Sequence, residues 1–497
     1  MSAQAAPPRP SPVSRALARD RVGVPAVLAF LLAAVAPLTV AAGLIPSAYA
    51  QTGLTGIPAA FLVIAVLLAV FAAGYMAMAR HLTSAGAFYA FIAAGLGRVP
   101  GTAAALVALL AYSFLQIALY GMLGPFAATQ AAAHLGIHAP WWAFALGAWA
   151  VISVLGLARV DNTGKLLGTL TAAEILIILA LSVTGLTHPA GGHLDFSPLS
   201  PSTLTAAGAG TAGVLAVIVV LACSGFEQGP VFAEEARRPL RTIPVTTFTA
   251  ITLIAAMYTG SSWAMAAHAG PGHVAAAAGT QGPGLMFGLG GSGFLSQAAQ
   301  WLFLTSLFAA GLAFHNAVWR YAFALGREGV LPGSLGRTGA SSIPRAASLA
   351  QSITALAVIV IFAAGHLPPM TGLFYDLGTT GGFGILILLA LTSVSVIAFF
   401  ARDGRGETVW SRLTAPALAA VILAGLAVLA VQHYAALLGV PPGSTTAWAL
   451  PASYAAAAVT GLAWGLFLRS RRPAIYAAIG LGAYAAGQPA PARQGIR

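Results

Sequence analysis

Residues 222–230 read Ala222-Cys223-Ser224-Gly225-Phe226-Glu227-Gln228-Gly229-Pro230. They lie inside a run that is otherwise apolar from about residue 206 to 233. Two glycines, a proline and an adjacent Glu and Gln break what would otherwise be a plain hydrophobic helix. A second interruption sits in the first apolar run, at Ala36-Pro37-Leu38-Thr39-Val40-Ala41-Ala42-Gly43-Leu44-Ile45-Pro46. Pro37 and Pro46 each remove a backbone donor, and residues 41–43 between them carry little side-chain bulk.

The runs around these breaks are long enough to span a bilayer, which takes roughly 20 mostly apolar residues. Twelve stretches qualify: about 24–48, 56–79, 100–131, 140–158, 164–187, 206–233, 242–268, 294–320, 346–364, 375–400, 413–434 and 449–468. Their apolar runs are continuous rather than alternating, so helices are expected and not a barrel of strands. The composition agrees. Of 497 residues, 59% are hydrophobic and 7% charged, against about 25% charged in soluble domains. Such a chain cannot clothe a water-soluble surface, which excludes an ordinary soluble enzyme, a nucleic-acid-binding domain and a disordered scaffold. Cys223 is the single cysteine, so no intramolecular disulfide or cysteine-based zinc cage can form.

The formal charge of +12 is a topology signal rather than a sign of nucleic acid. Arg9, Arg15, Arg19 and Arg21 precede the first stretch, and the alternate loops hold Arg80 and Arg98, Arg159 and Lys165, Arg237, Arg238 and Arg241. They continue with Arg320, Arg327, Arg337 and Arg345, then Arg402, Arg405 and Arg412, and the tail adds Arg469, Arg471, Arg472, Arg493 and Arg497. These groups hold all 23 basic residues, and the loops between them hold none. Positive loops resist translocation, so this face is expected to be cytoplasmic, with both termini inside, in a bacterial plasma membrane. The bilayer and its anionic lipids are then partners. The expected organisation is a tail (1–23), five helices (24–187), five more (206–400), two further helices (413–468) and a second tail (469–497). The two breaks lie five stretches apart, as two inverted five-helix repeats would place them. Unwinding frees N–H and C=O groups near the midplane, where an ion or zwitterion can use them.

Four segments carry a family resemblance. Ala41-Ala42-Gly43-Leu44-Ile45 resembles the Gly-Ser-Gly-Ile-Phe type motif of amino acid–polyamine–organocation (APC) permeases. Gly225-Phe226-Glu227, Ala233-Glu234-Glu235 and Arg241-Thr242-Ile243-Pro244 are similar to their GFE…AEE…P-x-R-x-IP run. Arg320 with Gly326-Arg327-Glu328-Gly329-Val330-Leu331-Pro332 resembles their R…GRDGxLP loop, and Ala85-Gly86-Ala87-Phe88-Tyr89 with Gly95-Leu96-Gly97 their AGxFY…GLG segment. The matches run through the first ten stretches in order.

The resemblance implies an all-α integral membrane protein of leucine-transporter type: twelve transmembrane helices, a 5+5 inverted repeat and two peripheral helices. Helices one and six would cradle the substrate. By position, its carboxylate would meet the N–H groups of Ala41, Ala42 and Gly43, and its amine the carbonyls of Thr39, Ala222, Cys223 and Ser224. Val40, Gly225 and Phe226 complete that candidate set. Helices one, two, six and seven would rock against three, four, eight and nine. Two departures matter: Ala41 replaces a glycine, and Leu221-Ala222-Cys223-Ser224 replaces a gating aromatic, so an aromatic lid must come from elsewhere, Phe226 being one candidate.

Ionisable groups inside the stretches each need a reason, because a carboxylate at mid-bilayer costs roughly 2.5–3.5 kcal/mol on insertion scales. Glu174 lies mid-stretch in the fifth run, where relatives often carry a lysine. A carboxyl there suits a proton carrier, and an ionised one beside helix one could hold sodium; the plainer account is a protonated acid bonded to a neighbouring helix. Glu227 is either an ion-coupling group or a cap for donors freed by the break. Glu234 and Glu235, beside Arg237 and Arg238, are expected in gate or loop salt bridges. Tyr112, Gln116 and Tyr120 share one helix face and line either a cavity or a helix contact. His315 reads as a packed, satisfied histidine. No nucleophile–base pair, phosphate loop or metal cluster is evident, so no enzyme activity, cofactor or metal is expected.

The expected function is secondary active transport of an amino acid or related small amine by a monomer or homodimer, with a proton or sodium as coupling ion. The alternatives are an amino acid/polyamine exchanger without proton coupling and an ion-conducting channel, which would show unsaturable flux and no counterflow.

Overall fold

The computed structural model describes Leu17 and residues 20–82, 84–338 and 343–482. The expected tail arginines Arg9, Arg15, Arg19, Arg493 and Arg497 and the proline-rich ends lie outside the described residues. Among the described residues the chain is helical, and its one strand-like pairing is an isolated parallel bridge between Val22 and Ala236. The long helices are α1 (Val24–Thr52), α2 (Ile57–Ala79), α3 (Arg98–Leu135), α4 (Trp141–Leu155), α5 (Val160–Thr187) and α6 (Ala209–Phe232). They continue as α7 (Pro239–Ala269), α8 (Phe294–Glu328), α9 (Arg345–Ala364), α10 (Pro369–Arg402), α11 (Trp410–Gln432) and α12 (Thr445–Arg471). Eleven are long and apolar enough to cross a membrane. The expected stretch 140–158 is the exception: α4 is a helix of 15 residues, short of the usual span. The segment 85–97 is not a loop but largely a buried helix, Ala87–Leu96.

The first half of α1 is enclosed by α5, α7 and α8, and the most apolar window of α1 is 89% buried against 17% for α12. So α1 is a core element, whereas α12 presents most of its surface outward. What holds α12 to the bundle is small residues: a Cβ on Gly461 would lie 2.5 Å from the Ala103 Cα, and one on Gly465 3.1 Å from the Val99 Cα. This is the small-xxx-small contact by which membrane helices approach closely. α3 is the hub, packing on α8, α10 and α12.

Both expected breaks are present. α1 stops at Val35, and Ala36 turns into the left-handed region (φ 54°, ψ 67°) before Pro37. The residue before a proline is driven out of the right-handed helical region, and a non-glycine residue held left-handed costs on the order of 1–3 kcal/mol. Residues Val40–Leu44 then form a π-turn and Ile45–Thr52 an α-helix. In α6 the regular helix ends at Ala222, Gly225 takes φ 126°, and Phe226–Phe232 continues as a 3-10 helix. A Cβ on Gly225 would lie 2.7 Å from the Val35 N. The two breaks therefore meet backbone to backbone, which only glycine permits.

At the arginine-rich face, the α10–α11 loop is clamped to the end of α2. Arg80 Nε donates to Glu407 Oε1 at 2.9 Å, its Nη2 donates to Oε2, and His81 Nε2 lies 3.3 Å from Oε1. Hydrogen bonds from Arg80 are the main reason that the Glu407 carboxyl titrates below its ordinary value.

Two outcomes follow from this packing. Gly225→Ala destabilises the protein by on the order of 1–3 kcal/mol, read as a lower midpoint of thermal unfolding in detergent, whereas Gly425→Ala, with open space around it, does not. The Glu407 clamp, formed by a group whose folded pKa is lowered, is complete above the unfolded carboxylate value of about 4.3 and is lost as pH falls through the lower folded value. Spin labels on Leu82→Cys and Gly406→Cys therefore keep their distance from pH 8 to 5 and separate only in stronger acid. With Glu407→Gln added they separate already at pH 7.

Candidate functional site

Beside the two breaks lies a cavity of about 120 Å³. Its walls come from α1 (Ala34, Val35, Ala36, Thr39, Val40, Leu44, Ser47, Gln51), α3 (Leu115, Ala118, Leu119), α6 (Ile218, Leu221, Ala222, Ser224), α8 (Phe314) and α10 (Phe374, Tyr375, Gly378, Thr379), with Leu437 beyond. Gln51 and Leu437 belong to the end of the bundle whose loops carry no arginine or lysine, so the cavity extends toward that face. None of these lining residues is ionisable apart from Tyr375. The wall is apolar, interrupted by hydroxyls, an amide and the backbone of the breaks.

The structure separates the sequence-derived candidates into two groups. Thr39, Val40, Ala222 and Ser224 line the cavity. Ala41, Ala42, Gly43, Cys223, Gly225, Phe226, Tyr112, Gln116, Glu174 and Glu227 are not among its lining residues, though all fourteen are buried. The physical reason for residues 41–43 is that they are wound into the π-turn, so the amides released by Pro37 are those just after it, at Leu38 and Thr39. Phe226 packs against Phe71, ring centroids 6.1 Å apart, and supplies no lid here. The aromatics that wall the cavity are Phe314, Phe374 and Tyr375. Their signal in the sequence is no more than aromatic residues in the eighth and tenth apolar runs.

The buried candidates hold the breaks together. Glu227 Oε2 accepts from the Gly225 N–H at 2.7 Å, Oε1 accepts from the Tyr112 hydroxyl at 2.8 Å, and its own carbonyl accepts from the Tyr75 hydroxyl at 3.1 Å. It thereby staples the α6 break to α3 and α2. Gln116 is equally occupied: its amide donates to Tyr120 and accepts from Gln351 of α9, at 2.8 and 2.9 Å. At the α1 break, Val35 O accepts from Tyr258 of α7 at 3.2 Å. Leu38 N–H donates to Glu174 Oε2 at 3.4 Å, and Thr39 donates both its N–H and its hydroxyl to Ser306 Oγ of α8, at 3.2 and 3.1 Å. Ser306, Tyr75 and Tyr258 escaped the sequence reading. For Ser306 the only cue is a Thr305-Ser306 pair in an apolar run.

The opposite end is sealed. Arg320 of α8 is fully buried; its Nε donates to Glu235 Oε2 at 2.8 Å, its Nη1 to the Asn316 carbonyl at 3.0 Å, and its guanidinium lies 4.5 Å from the Phe232 ring centroid. Arg327 forks onto Glu234 at 2.7 and 2.6 Å, and Glu235 O takes the N–H groups of Arg21 and Val22. Both glutamates are in salt bridges, and it is α8 that brings their partners across. Breaking a buried pair of this kind typically costs about 3–5 kcal/mol, so this end is firmly closed. His315 is packed as expected, with Nε2 2.9 Å from Ser348 Oγ. No group of three or more His, Cys, Asp or Glu able to hold a metal exists among the described residues.

Known proteins match this arrangement. The family model described as amino acid permease covers residues 23–463. The branched-chain amino acid permease BcaP of Lactococcus lactis subsp. cremoris is 24% identical over 389 residues, 72% of this chain and 77% of that protein. A crystal structure of a mutant manganese transporter from Eremococcus coleocola superposes with a TM-score of 0.58 at 14% identity, covering 93% of this chain and 98% of that one. The same transporter in complex with an aromatic bis-isothiourea substituted compound gives 0.56 at 13% identity, with coverages of 92% and 95%. The low identities of these structures speak to the fold alone. A chain matched over most of its length by this family model, and folded as these transporters fold, belongs to the amino acid permease family of the APC superfamily and is a membrane transporter, not an enzyme.

Proposed function

We propose that this protein is a proton-coupled symporter of an amino acid with an apolar side chain. The observation that carries the reading is Glu174: fully buried in α5, outside the cavity wall, and bonded through Oε2 to the Leu38 amide that the α1 break releases. A carboxylate accepts such a bond about twice as strongly as a neutral group does. Protonation of Glu174 therefore loosens α1 from α5, and ionisation tightens it. That links a proton to the helix whose movement would open the opposite end.

The substrate class is supported by the cavity. Its wall is apolar and, Tyr375 apart, free of ionisable side chains, which suits an apolar side chain and leaves a zwitterion's charges to the backbone of α1 and α6. It lacks the carboxylates that a polyamine or a divalent cation would need. The Lactococcus relative, a branched-chain amino acid permease by name, is consistent with this class.

The same reading takes twelve spans, α4 included, as two inverted five-helix repeats followed by α11 and α12, with the arginine-rich face cytoplasmic. Matched tyrosines support it: the last carbonyl before the α1 break is held by Tyr258 of α7, and Glu227 O at the α6 break by Tyr75 of α2. In this state the cavity extends toward the outer face, and the Glu234–Arg327 and Glu235–Arg320 pairs close the inner one.

Purified protein mixed with apolar amino acids at a hundredfold excess over Kd gains about 2.7 kcal/mol of stability, read as a raised unfolding midpoint. A shift produced by divalent cations or polyamines alone would refute the substrate class. In proteoliposomes, Glu174→Gln abolishes accumulation driven by a pH gradient while substrate counterflow continues. Undiminished pH-driven accumulation by that variant would remove Glu174 from the coupling step.

A further inference from the structure

We propose that the hydroxyls of Thr39 and Ser306 form a two-step proton relay that joins the cavity to Glu174. The proposal deepens the proton-symport reading and rests on it. Glu174 does not line the cavity, so a proton arriving from outside needs a route to it. Thr39 does line the cavity, although only 3% of its surface is exposed. Ser306 is fully buried behind it, and its Oγ and Glu174 Oε2 accept from the consecutive amides of Thr39 and Leu38. The three side chains come from α1, α8 and α5 and meet at those two amides.

The hydrogen-bond inventory fits a relay closely. A serine hydroxyl has one hydrogen to give and two lone pairs. One lone pair of Ser306 Oγ is taken by the Thr39 N–H at 3.2 Å, a donor that cannot change, and the other by the Thr39 hydroxyl at 3.1 Å. Its own hydrogen is left for Glu174, whose Oε1 has no hydrogen-bond partner among the described residues. With Glu174 ionised, all hydroxyls thus point from the cavity toward the carboxylate. A proton delivered by water to Thr39 Oγ1 displaces the threonine hydrogen to Ser306 Oγ, and the serine hydrogen moves to Glu174. At each oxygen one O–H bond forms as another breaks, and the sum is one proton moved from cavity to carboxyl. Afterwards Ser306 accepts from the Thr39 N–H and from protonated Glu174, and donates to Thr39 Oγ1. Both states satisfy every lone pair used, because the fixed amide leaves one acceptor position to switch. The same inventory argues against sodium at this place: with both lone pairs of Ser306 Oγ occupied by hydrogens, that oxygen has none to offer a cation.

The test measures protons taken up per substrate in proteoliposomes, using an internal pH dye and radiolabelled amino acid on the same preparation. Ser306→Ala and Thr39→Val lower that ratio at least tenfold, and Thr39→Ser, which keeps the hydroxyl, restores it. A structural role alone lowers proton and substrate fluxes together and leaves the ratio at the wild-type value, which would overturn the relay. If wild-type protein itself takes up no protons with substrate, the symport reading fails and the relay with it. If wild type does so in a Glu174-dependent manner while Ser306→Ala keeps the full ratio, only the relay fails. Should Ser306→Ala not fold, the Thr39→Val and Thr39→Ser pair decides alone.

Discussion

A helix interrupted inside a bilayer releases backbone N–H groups that have no water to turn to, and each one left unpaired costs several kcal/mol. The architecture around α1 follows from that constraint. Pro37 and the left-handed Ala36 free the amides of Leu38 and Thr39, and side chains from α5 and α8 reach in to satisfy them. The second break solves the same problem locally, since Glu227 folds back onto the Gly225 amide. The freed amide of one break is therefore met from its own helix, whereas those of the other are met by neighbouring helices. The latter can respond to a change in charge elsewhere, which makes α1 the element suited to coupling.

The two ends of the bundle are built from different materials. Toward the arginine-free face the cavity is walled by aliphatic and aromatic side chains whose contacts are weak individually and can separate piecemeal. Toward the arginine-rich face, α8 carries Arg320 and Arg327 into the glutamates that follow α6, and the N-terminal strand segment at Val22 adds backbone bonds to the same loop. Buried charge pairs resist separation singly but exchange as units. Opening that end consequently requires α6 and α8 to part together, and at this junction Phe30 of α1 packs against Phe232, ring centroids 4.6 Å apart.

Much of this was visible before any coordinates. The places of the helices, the two breaks and the family followed from apolar runs, prolines and four short motifs, and of the candidate site residues Thr39, Val40, Ala222 and Ser224 line one cavity. Other assignments came apart for identifiable reasons. Residues 41–43 were expected to offer free amides, but a π-turn rewinds them, and the freed amides shift to the residues right after Pro37. Glu234 and Glu235 were expected in gate or loop salt bridges with no partner named, and their partners come from α8, some ninety positions along the chain. Phe226 was a candidate lid and instead packs on Phe71, because the Gly225 turn aims it away from the cavity.

These successes and failures divide along one physical line. Transfer free energy into the bilayer and the backbone preferences of proline and glycine act residue by residue, so the chain alone determined which segments span, which face is basic and where helices must break. Which side chain answers a freed amide, which aromatic walls the cavity and which hydroxyls connect it to Glu174 depend on the rotation of each helix about its own axis. That rotation is set by close contacts such as Gly225 against Val35 and Gly461 against Ala103, between residues far apart in sequence, and only the packed tertiary structure decides it.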